Sequence, residues 1–335
     1  MTLQELKQTL ADASLVVVLT DENVAPYWLS ELKHWLACEG AMELVIPAGE
    51  PSKTLSMAQR IWKKLLRWHA DRDTVLVNLG GGVISDLGGF VASCYQRGIR
   101  FVNVPTTLLA MVDAAIGGKT GVDFGGGKNQ IGTFAEPIEV WVSPIYLSTL
   151  PQRELLSGLA EMLKYGYIAD PSMMRLDAGN YEQYLLRAGR IKRAIVARDP
   201  FDQGERKVLN FGHTLGHALE SWSLLGDHPL RHGEAVALGM GGALWLSREL
   251  TGLPDAVVQD YWPKMQQLLA EADLALGPDD LDAVLSFLAC DKKNRSGEHR
   301  FVLLRGVGDP VIDQPVPDDL IRKSLLEVIQ QLPLS

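Results

Sequence analysis

The stretch Asp73–Phe90, DTVLVNLGGGVISDLGGF, decides the fold. Its first part, VLVNL, is a short apolar run with polar and glycine flanks, the pattern of a strand buried on both faces. Gly80, Gly81 and Gly82 follow directly, and then SDLGGFVASCYQRG takes up helical spacing with small residues along one side. Strand, glycine turn and helix together open a βα unit. Such a turn lets backbone N–H groups approach a phosphate, and the helix N-terminus adds a partial positive charge. The spacing is not GxGxxG, and a glycine turn that serves only packing explains these residues equally well.

The same rhythm extends on both sides. SLVVVLTDEN and MELVIPAGE upstream, and IRFVNVPTT and IEVWVSP downstream, read as strands. YWLSELKHWL and LSMAQRIWKKLLRWHA between them read as amphipathic helices. Alternation of this kind predicts a Rossmann-like parallel α/β domain over residues 1–150. From Glu154 onward helical periodicity dominates, in RELLSGLAEMLKYGYIA, RAGRIKRAIVAR, RKVLNFGHTLGHALESW and GEAVALGMGGALWLSREL. A second, largely helical domain is therefore expected over residues 151–335.

Composition narrows the function classes. The 335 residues are 47% hydrophobic and 22% charged, as in ordinary globular proteins. A net charge of −9 argues against nucleic acid bound through its phosphates. The three cysteines, Cys38, Cys94 and Cys290, are too few and too dispersed for a disulfide framework, which fits a reducing cytoplasm. MTLQELKQTL lacks the apolar core of a signal peptide, and no run approaches the length of a membrane span. The expectation is a cytoplasmic protein acting on a small molecule.

Three further segments carry chemistry. VDAAIGGKTGVDFGGGKNQIG holds Asp113, Lys119, Lys128 and Asn129 among glycines, and reads as a loop that closes around a ligand. VLNFGHTLGHALE sets His213 and His217 four apart, on one helix face. An isolated pair of this kind is most often two solvated side chains, but HPLRHGEAV adds His228 and His232, the latter where a helix begins. Glu161 lies amid small and apolar residues, where a carboxylate is costly unless it is paired or metal-bound. Lys164, one turn on, could satisfy it as an ion pair. Glu161, His213 and His232 also form a chemically sensible set for a divalent Lewis acid. Arg206 and Asn210, four apart on the helix expected to carry His213, would share its inward face. With Lys192 they suit a polyhydroxylated anion. Lys292 and Lys293, read alone, are a solvated turn.

Assembled in this order, GEPSKT, GGGVISDLGGF, YQRG, VPTTLLAMVDAAIGGKTGVDFGGGKNQIG, LPQRELLSGLAEMLKYG, LNFGHTLGHALE, HGEAVALGM and DKKN resemble the 3-dehydroquinate synthase family of the sugar-phosphate cyclases. The resemblance spans nearly the whole chain. It implies an N-terminal NAD-binding α/β domain and a C-terminal all-helical metal-binding domain. It also implies conversion of 3-deoxy-D-arabino-heptulosonate 7-phosphate to 3-dehydroquinate and phosphate in the shikimate pathway, with NAD, one zinc or cobalt ion and a homodimer. Matched motif by motif, it assigns the metal to Glu161, His213 and His232. Substrate contacts fall on Asp113, Lys119, Lys128, Asn129, Lys164, Lys192, Arg206, Asn210, His217, Lys292 and Lys293, with Arg97 reaching across to the partner subunit's site. NAD contacts fall on Asp21, Asn23, Glu50, Lys53, Gly81, Gly82, Val83, Asp86, Thr106, Thr107, Lys119, Lys128 and Thr149. A cyclase of the 2-deoxy-scyllo-inosose or valiolone type, a polyol or glycerol-phosphate dehydrogenase on the same fold, and an NAD-binding regulatory module are the alternatives. Arg206 and Lys192 favour an acid substrate.

Overall fold

Valine- and leucine-rich runs without polar alternation become strands covered on both faces. In the computed structural model, which describes residues 2–289 and 299–332, they lie in the first of two units, Met1–Leu150 and Pro151–Ser335. The strands of the first unit are β1 (Val16–Asp21), β2 (Met42–Ile46), β3 (Val75–Gly80), β4 (Arg100–Pro105), β5 (Lys119–Phe124), β6 (Gly127–Phe134) and β7 (Glu139–Val140). Five of them pair in the order β2-β1-β3-β4-β7, all parallel. All six residues of β3 are buried, which is why VLVNLG shows no alternation. The helices are α1 (Leu3–Ala11), α2 (Ala25–Trp35), α3 (Leu55–Arg67) and α4 (Gly82–Cys94). The chain moves from β1 outward to β2 on one side and to β3 on the other. The carboxyl ends of β1 and β3 therefore flank the switch point, where open α/β sheets bind ligands.

VDAAIGGKTGVDFGGGKNQIG departs from the expected loop. Its start is a π-helical turn, Ala110–Ala114, and its remainder is the antiparallel hairpin β5–β6. The glycines serve strand packing. A Cβ on Gly121 would lie 2.8 Å from the Ile131 carbonyl oxygen, and one on Gly132 would overlap the Thr120 carbonyl. Thr120 and Thr133 face each other across the hairpin with their hydroxyls 2.7 Å apart, and Ser93 of α4 bonds to Thr133 at 2.7 Å. The hairpin is thereby tied to the sheet-covering helix.

The second unit carries α5 (Gln152–Ile168), α6 (Glu182–Arg198), α7 (His213–Ser223), α8 (His232–Thr251), α9 (Asp255–Leu268), α10 (Leu281–Ala289), the hairpin β8 (His299–Gly306) and β9 (Asp309–Val316), and α11 (Asp318–Gln330). The hairpin is an addition to the all-helical expectation. Helix α8 runs through the middle of the unit, with every residue from Gly233 to Ser247 buried. Among the described residues, no helix is long and apolar enough to cross a membrane. Cys38 is buried and Cys94 exposed, and both are free thiols.

The segment RKVLNFGHTLGHALESW is not one helix. Residues Glu205–Asn210 form a 3-10 turn, and α7 begins only at His213. The break is at Gly212, which has φ +80°, a left-handed conformation that glycine adopts without steric cost. A Cβ there would stand 2.6 Å from Met240 Cγ and 2.9 Å from its backbone nitrogen. Arg206 and Asn210 therefore do not share a helix face with His213.

Candidate active site

Helices α5, α7 and α8 are held together by backbone-level contacts before any functional side chain is considered. A Cβ on Gly239 of α8 would overlap the Gly212 carbonyl, and one on Gly216 of α7 would sit 3.0 Å from the Ala235 carbonyl oxygen. On the other side, the Gly233 N–H donates to Ser157 Oγ at 2.9 Å, and a Cβ on Gly233 would overlap the Ser157 carbonyl. Arg153 grips Glu234 with two parallel bonds of 2.6 and 2.7 Å, and Arg231 pairs with Glu154 at 2.9 Å. The first turn of α8, which begins at His232, is thus pinned to the first two turns of α5, one turn before Glu161.

The result is a cluster of three ligand-type side chains. Glu161 is fully buried, His213 is buried and the His232 side chain is 30% exposed. Glu161 Oε2 contacts Lys164 Nζ, so the ion pair expected as the alternative reading is present. The other oxygen, Oε1, faces two imidazoles: His213 Nε2 at 3.3 Å and His232 Nε2 at 3.5 Å. Each ring is also oriented at its far nitrogen, with His213 Nδ1 3.1 Å from the Phe211 carbonyl oxygen and His232 Nδ1 3.3 Å from Glu220 Oε2. A proton on each Nδ1 leaves both Nε2 lone pairs aimed at one point beside Oε1. Bonds of about 2.0–2.1 Å at the tetrahedral angle place neighbouring ligand atoms roughly 3.4 Å apart, which matches both separations. The donor set fits a divalent cation of the zinc or cobalt kind.

The electrostatics fit as well. Burial alone would raise the Glu161 carboxyl, but Lys164, then His213 and His232, outweigh it and hold it well below the usual carboxylate range. Burial and Lys164 lower the His213 imidazolium, leaving that ring neutral. Burial also works against charge on His232, yet hydrogen bonds to Glu161 and Glu220 push its pKa up to about 10. A cation must displace that proton to reach Nε2. Zinc affinity of the apoprotein should therefore rise by about tenfold per pH unit through the neutral range, where one bound proton is lost per ion taken up. Competition titrations with a chelator at pH 6.5, 7.5 and 8.5 measure that slope, and a flat profile would contradict a protonated His232.

Other residues of the second unit lie deeper than surface charges would. Lys192 of α6 and Arg206 are buried. Arg206 donates from Nη1 to the Pro200 carbonyl oxygen at 2.8 Å, and its backbone N–H bonds to Asp199 Oδ2 at 3.1 Å. Asn210 is half-buried at the end of the 3-10 turn, and His217 is exposed on α7, its ring centroid 5.3 Å from that of His213. His228 stands apart, near Asp273 at 3.3 Å. Lys292 and Lys293 lie outside the described residues.

In the first unit the residues matched to NAD collect at the carboxyl ends of the strands. Asp21 closes β1 and accepts from the Asn23 and Val24 N–H groups at 2.9 and 3.1 Å. Glu50 and Lys53 follow β2, Gly81, Gly82, Val83 and Asp86 follow β3, and Thr106 and Thr107 follow β4. No side chain caps the N-terminus of α4 at Gly81. The turn is also closely packed, since a Cβ on Gly81 would meet Thr107 Cγ2 at 3.0 Å and one on Gly82 would meet Ala114 Cβ at 3.2 Å. Thr106 Oγ1 is buried without a hydrogen-bond partner, an orphan that a nucleotide could satisfy. Lys53 is buried against Asp86 at 2.6 Å and Glu50 at 3.8 Å. Burial opposes its charge, but Asp86 and then Glu50 more than offset this and raise its pKa. Thr149 is already engaged, accepting from Trp28 Nε1 at 2.7 Å.

Asp113 lies in the π-helical turn, and Lys119, Lys128 and Asn129 are on the hairpin, the last three exposed. Asn129 takes φ +51°, with its N–H on Asp123 Oδ1 at 2.8 Å. Because Lys119 is exposed on a hairpin whose packing comes from Val122 and the threonines, Lys119→Ala should leave thermal stability unchanged. If it grips an anionic ligand, activity should fall by roughly 10- to 100-fold, the value of one charge-assisted contact. Wild-type kcat and KM in that variant would make Lys119 a solvated strand end. Arg97 is exposed beyond α4, in a run of three positive φ angles, Gln96 (+48°), Arg97 (+70°) and Gly98 (+119°). The Tyr95 hydroxyl and Gln96 Nε2 hold this turn on the Ala70 carbonyl oxygen at 2.9 and 3.1 Å.

Sequence reasoning did not find Glu220, Ser157 or the Arg153–Glu234 pair. They touch the metal-type rings or the helices that bear them, and only Glu220, seven residues after His213 on the same helix face, left a readable spacing.

The fold and the cluster define a class: a parallel α/β unit with an open strand-end turn, followed by a helical unit bearing two imidazoles and a carboxylate. A 2-epi-5-epi-valiolone synthase from Streptomyces hygroscopicus subsp. jinggangensis 5008, solved with NAD+ and Zn2+ bound, shares this fold at a TM-score of 0.82. It is 28% identical, with 95% of this chain and 92% of that one covered. Within the class, the chain belongs to the 3-dehydroquinate synthase family. Residues 43–157 match the family's N-terminal region and residues 158–294 its C-terminal region. The 3-dehydroquinate synthase of Blochmanniella floridana is 42% identical over 95% of this chain and 90% of its own length. That of Methylococcus capsulatus (strain ATCC 33009 / NCIMB 11132 / Bath) is 43% identical over 92% and 89%.

Proposed function

We propose that this chain is a phosphate-eliminating cyclase that converts 3-deoxy-D-arabino-heptulosonate 7-phosphate to 3-dehydroquinate and phosphate, using NAD and one zinc or cobalt ion. The observation that carries the reading is the convergence of His213 Nε2 and His232 Nε2 on Glu161 Oε1, in a chain of this family. Glu161, His213 and His232 would hold the metal. Gly81, Gly82, Val83, Thr106 and Thr107, at the strand ends, would hold the nucleotide, with Lys53 and Asp86 shaping its bed. When bound, NAD takes and returns a hydride and the metal acidifies a hydroxyl. Lys164, fixed on Glu161, keeps a positive charge beside the reacting hydroxyls. Lys192 and Arg206 are buried cations suited to a carboxylate and a phosphate that must stay in place while the ring opens and recloses. Asp113, Asn129, Asn210 and His217 supply neutral or proton-accepting contacts to hydroxyls. Residues 1–150 would form the nucleotide-binding domain and 151–335 the metal-binding domain. We further propose a cytoplasmic homodimer in which Arg97 reaches the partner's substrate phosphate.

The test supplies the heptulosonate phosphate with NAD and zinc or cobalt, then assays inorganic phosphate and 3-dehydroquinate. Equal yields of both with no net NADH are expected. Accumulating NADH would make the chain a dehydrogenase. Turnover of a neutral sugar phosphate in place of the acid would make it a cyclase of the inosose or valiolone type. Full activity without metal would remove the cluster from the chemistry.

A further inference from the structure

We infer that Glu220 is a positioning residue for the metal: its carboxylate holds the Nδ1 proton of His232, so that Nε2 is locked toward Glu161. The inference rests on the metal reading of Glu161, His213 and His232. Glu220 lies on α7 two turns after His213 and is buried, with Oε2 3.3 Å from His232 Nδ1. A carboxylate in that setting is costly unless it meets a proton donor. The backbone around it is fixed, because the Glu220 carbonyl accepts from Ser223 Oγ at 2.7 Å and Ser223 Oγ in turn accepts from the Leu230 N–H at 3.0 Å. This ties the end of α7 to the residues that lead into α8.

The two rings differ in what holds them. His213 leans on a carbonyl oxygen, whereas His232 leans on a carboxylate. A carboxylate partner makes its imidazole a stronger donor to a cation, and a ring carrying 30% exposure needs more restraint than a buried one. The competing reading is a second cation shared by His217, Glu220 and His232, whose ligand atoms also lie within 4.8 Å of one another. That site would need His232 Nδ1 as a lone pair. The same nitrogen cannot be both the donor to Glu220 and a ligand, so one ion per chain follows from the positioning role and two from the competing one.

The test uses the full chain with Glu220→Gln and Glu220→Ala, and His213→Ala as the control that removes a ligand. Zinc affinity is measured by chelator competition, stoichiometry by calorimetry, and geometry by the visible absorption of the cobalt-loaded protein. One ion per wild-type chain is expected. Glu220→Ala should bind zinc about 10- to 100-fold more weakly, with a shifted cobalt spectrum, and Glu220→Gln, which keeps an acceptor oxygen, should recover part of that loss. The isosteric glutamine variant decides the matter if the alanine variant fails to fold, as judged by circular dichroism. Affinity within about twofold of wild type and an unchanged cobalt spectrum in Glu220→Gln and in any folded Glu220→Ala would overturn the role, since 10- to 100-fold is expected of such partners. Two ions per wild-type chain, one lost on substitution, would make Glu220 a ligand instead. Equal zinc binding by wild type and His213→Ala would remove the metal reading itself, and the positioning role with it.

Discussion

His213→Ala is expected to purify without its metal and to turn over at background. The ring is one of the three donors, with Glu161 and His232, and those two sit on different helices. Loss of the ion removes several kcal/mol of transition-state stabilisation, about three powers of ten in rate or more. The fold should survive, because α7 is held to α8 by the Gly212, Gly216 and Gly239 contacts and not by the ring. Metal analysis beside circular dichroism checks both halves. A folded variant with a full complement of zinc would take His213 out of the ligand set.

If the chain forms the proposed homodimer, mixed dimers should show activity that neither parent has. Arg97→Ala and His213→Ala chains, each inactive, are combined and allowed to exchange. If Arg97 completes the partner's site, a heterodimer has one site with both defects and one with neither. Random reassortment makes half of the dimers mixed, so about a quarter of wild-type activity should return. The physical basis is the left-handed run at residues 96–98, which holds two non-glycine residues in a conformation costing on the order of 1–3 kcal/mol each. Such strain clusters at functional sites, and a guanidinium offers a phosphate two parallel bonds that an ammonium cannot. Heterodimers that form but stay inactive would confine Arg97 to its own chain or to no role.

The sheet was legible because burial on both faces leaves continuous apolar runs, as at Val75–Leu79, and each such run ends in glycine or polar residues where the strand ends. The boundary near residue 150 was legible as a change of period. Two misreadings share one cause. Weighed only against its sequence neighbours, glycine reads as loop in Gly117–Gly132 and as an ordinary helix residue at Gly212. In the fold, glycine marks close backbone approach within a hairpin and a left-handed break before α7. Whether a glycine frees the chain or lets two backbones touch depends on partners distant in sequence. Glu161 could be picked out as a carboxylate in an apolar context, His213 by its spacing from His217 and His232 by its place at a helix start, and the structure brings all three within 4.8 Å. Ser157 could not, since a hydroxyl that touches a backbone N–H has no signature until two helices are laid side by side, and Glu220 left only its spacing of seven from His213.

The glycine seams along α8 enlarge the mutational target of this protein well beyond the side chains that would touch the ion. Gly216, Gly233 and Gly239 have no side chain to offer a ligand, a charge or a proton. Yet a single methyl group at Gly239 or Gly233 must push α8 away from α7 or α5 and carry His232 off its line to Glu161, and one at Gly216 tightens the same seam. In a survey of natural or laboratory variants, alanine at these positions would present as a cofactor-deficiency phenotype in a folded chain, rescued in part by excess zinc in the medium. A geneticist who expected such alleles to cluster at ligands would find them instead at the smallest residues of the chain.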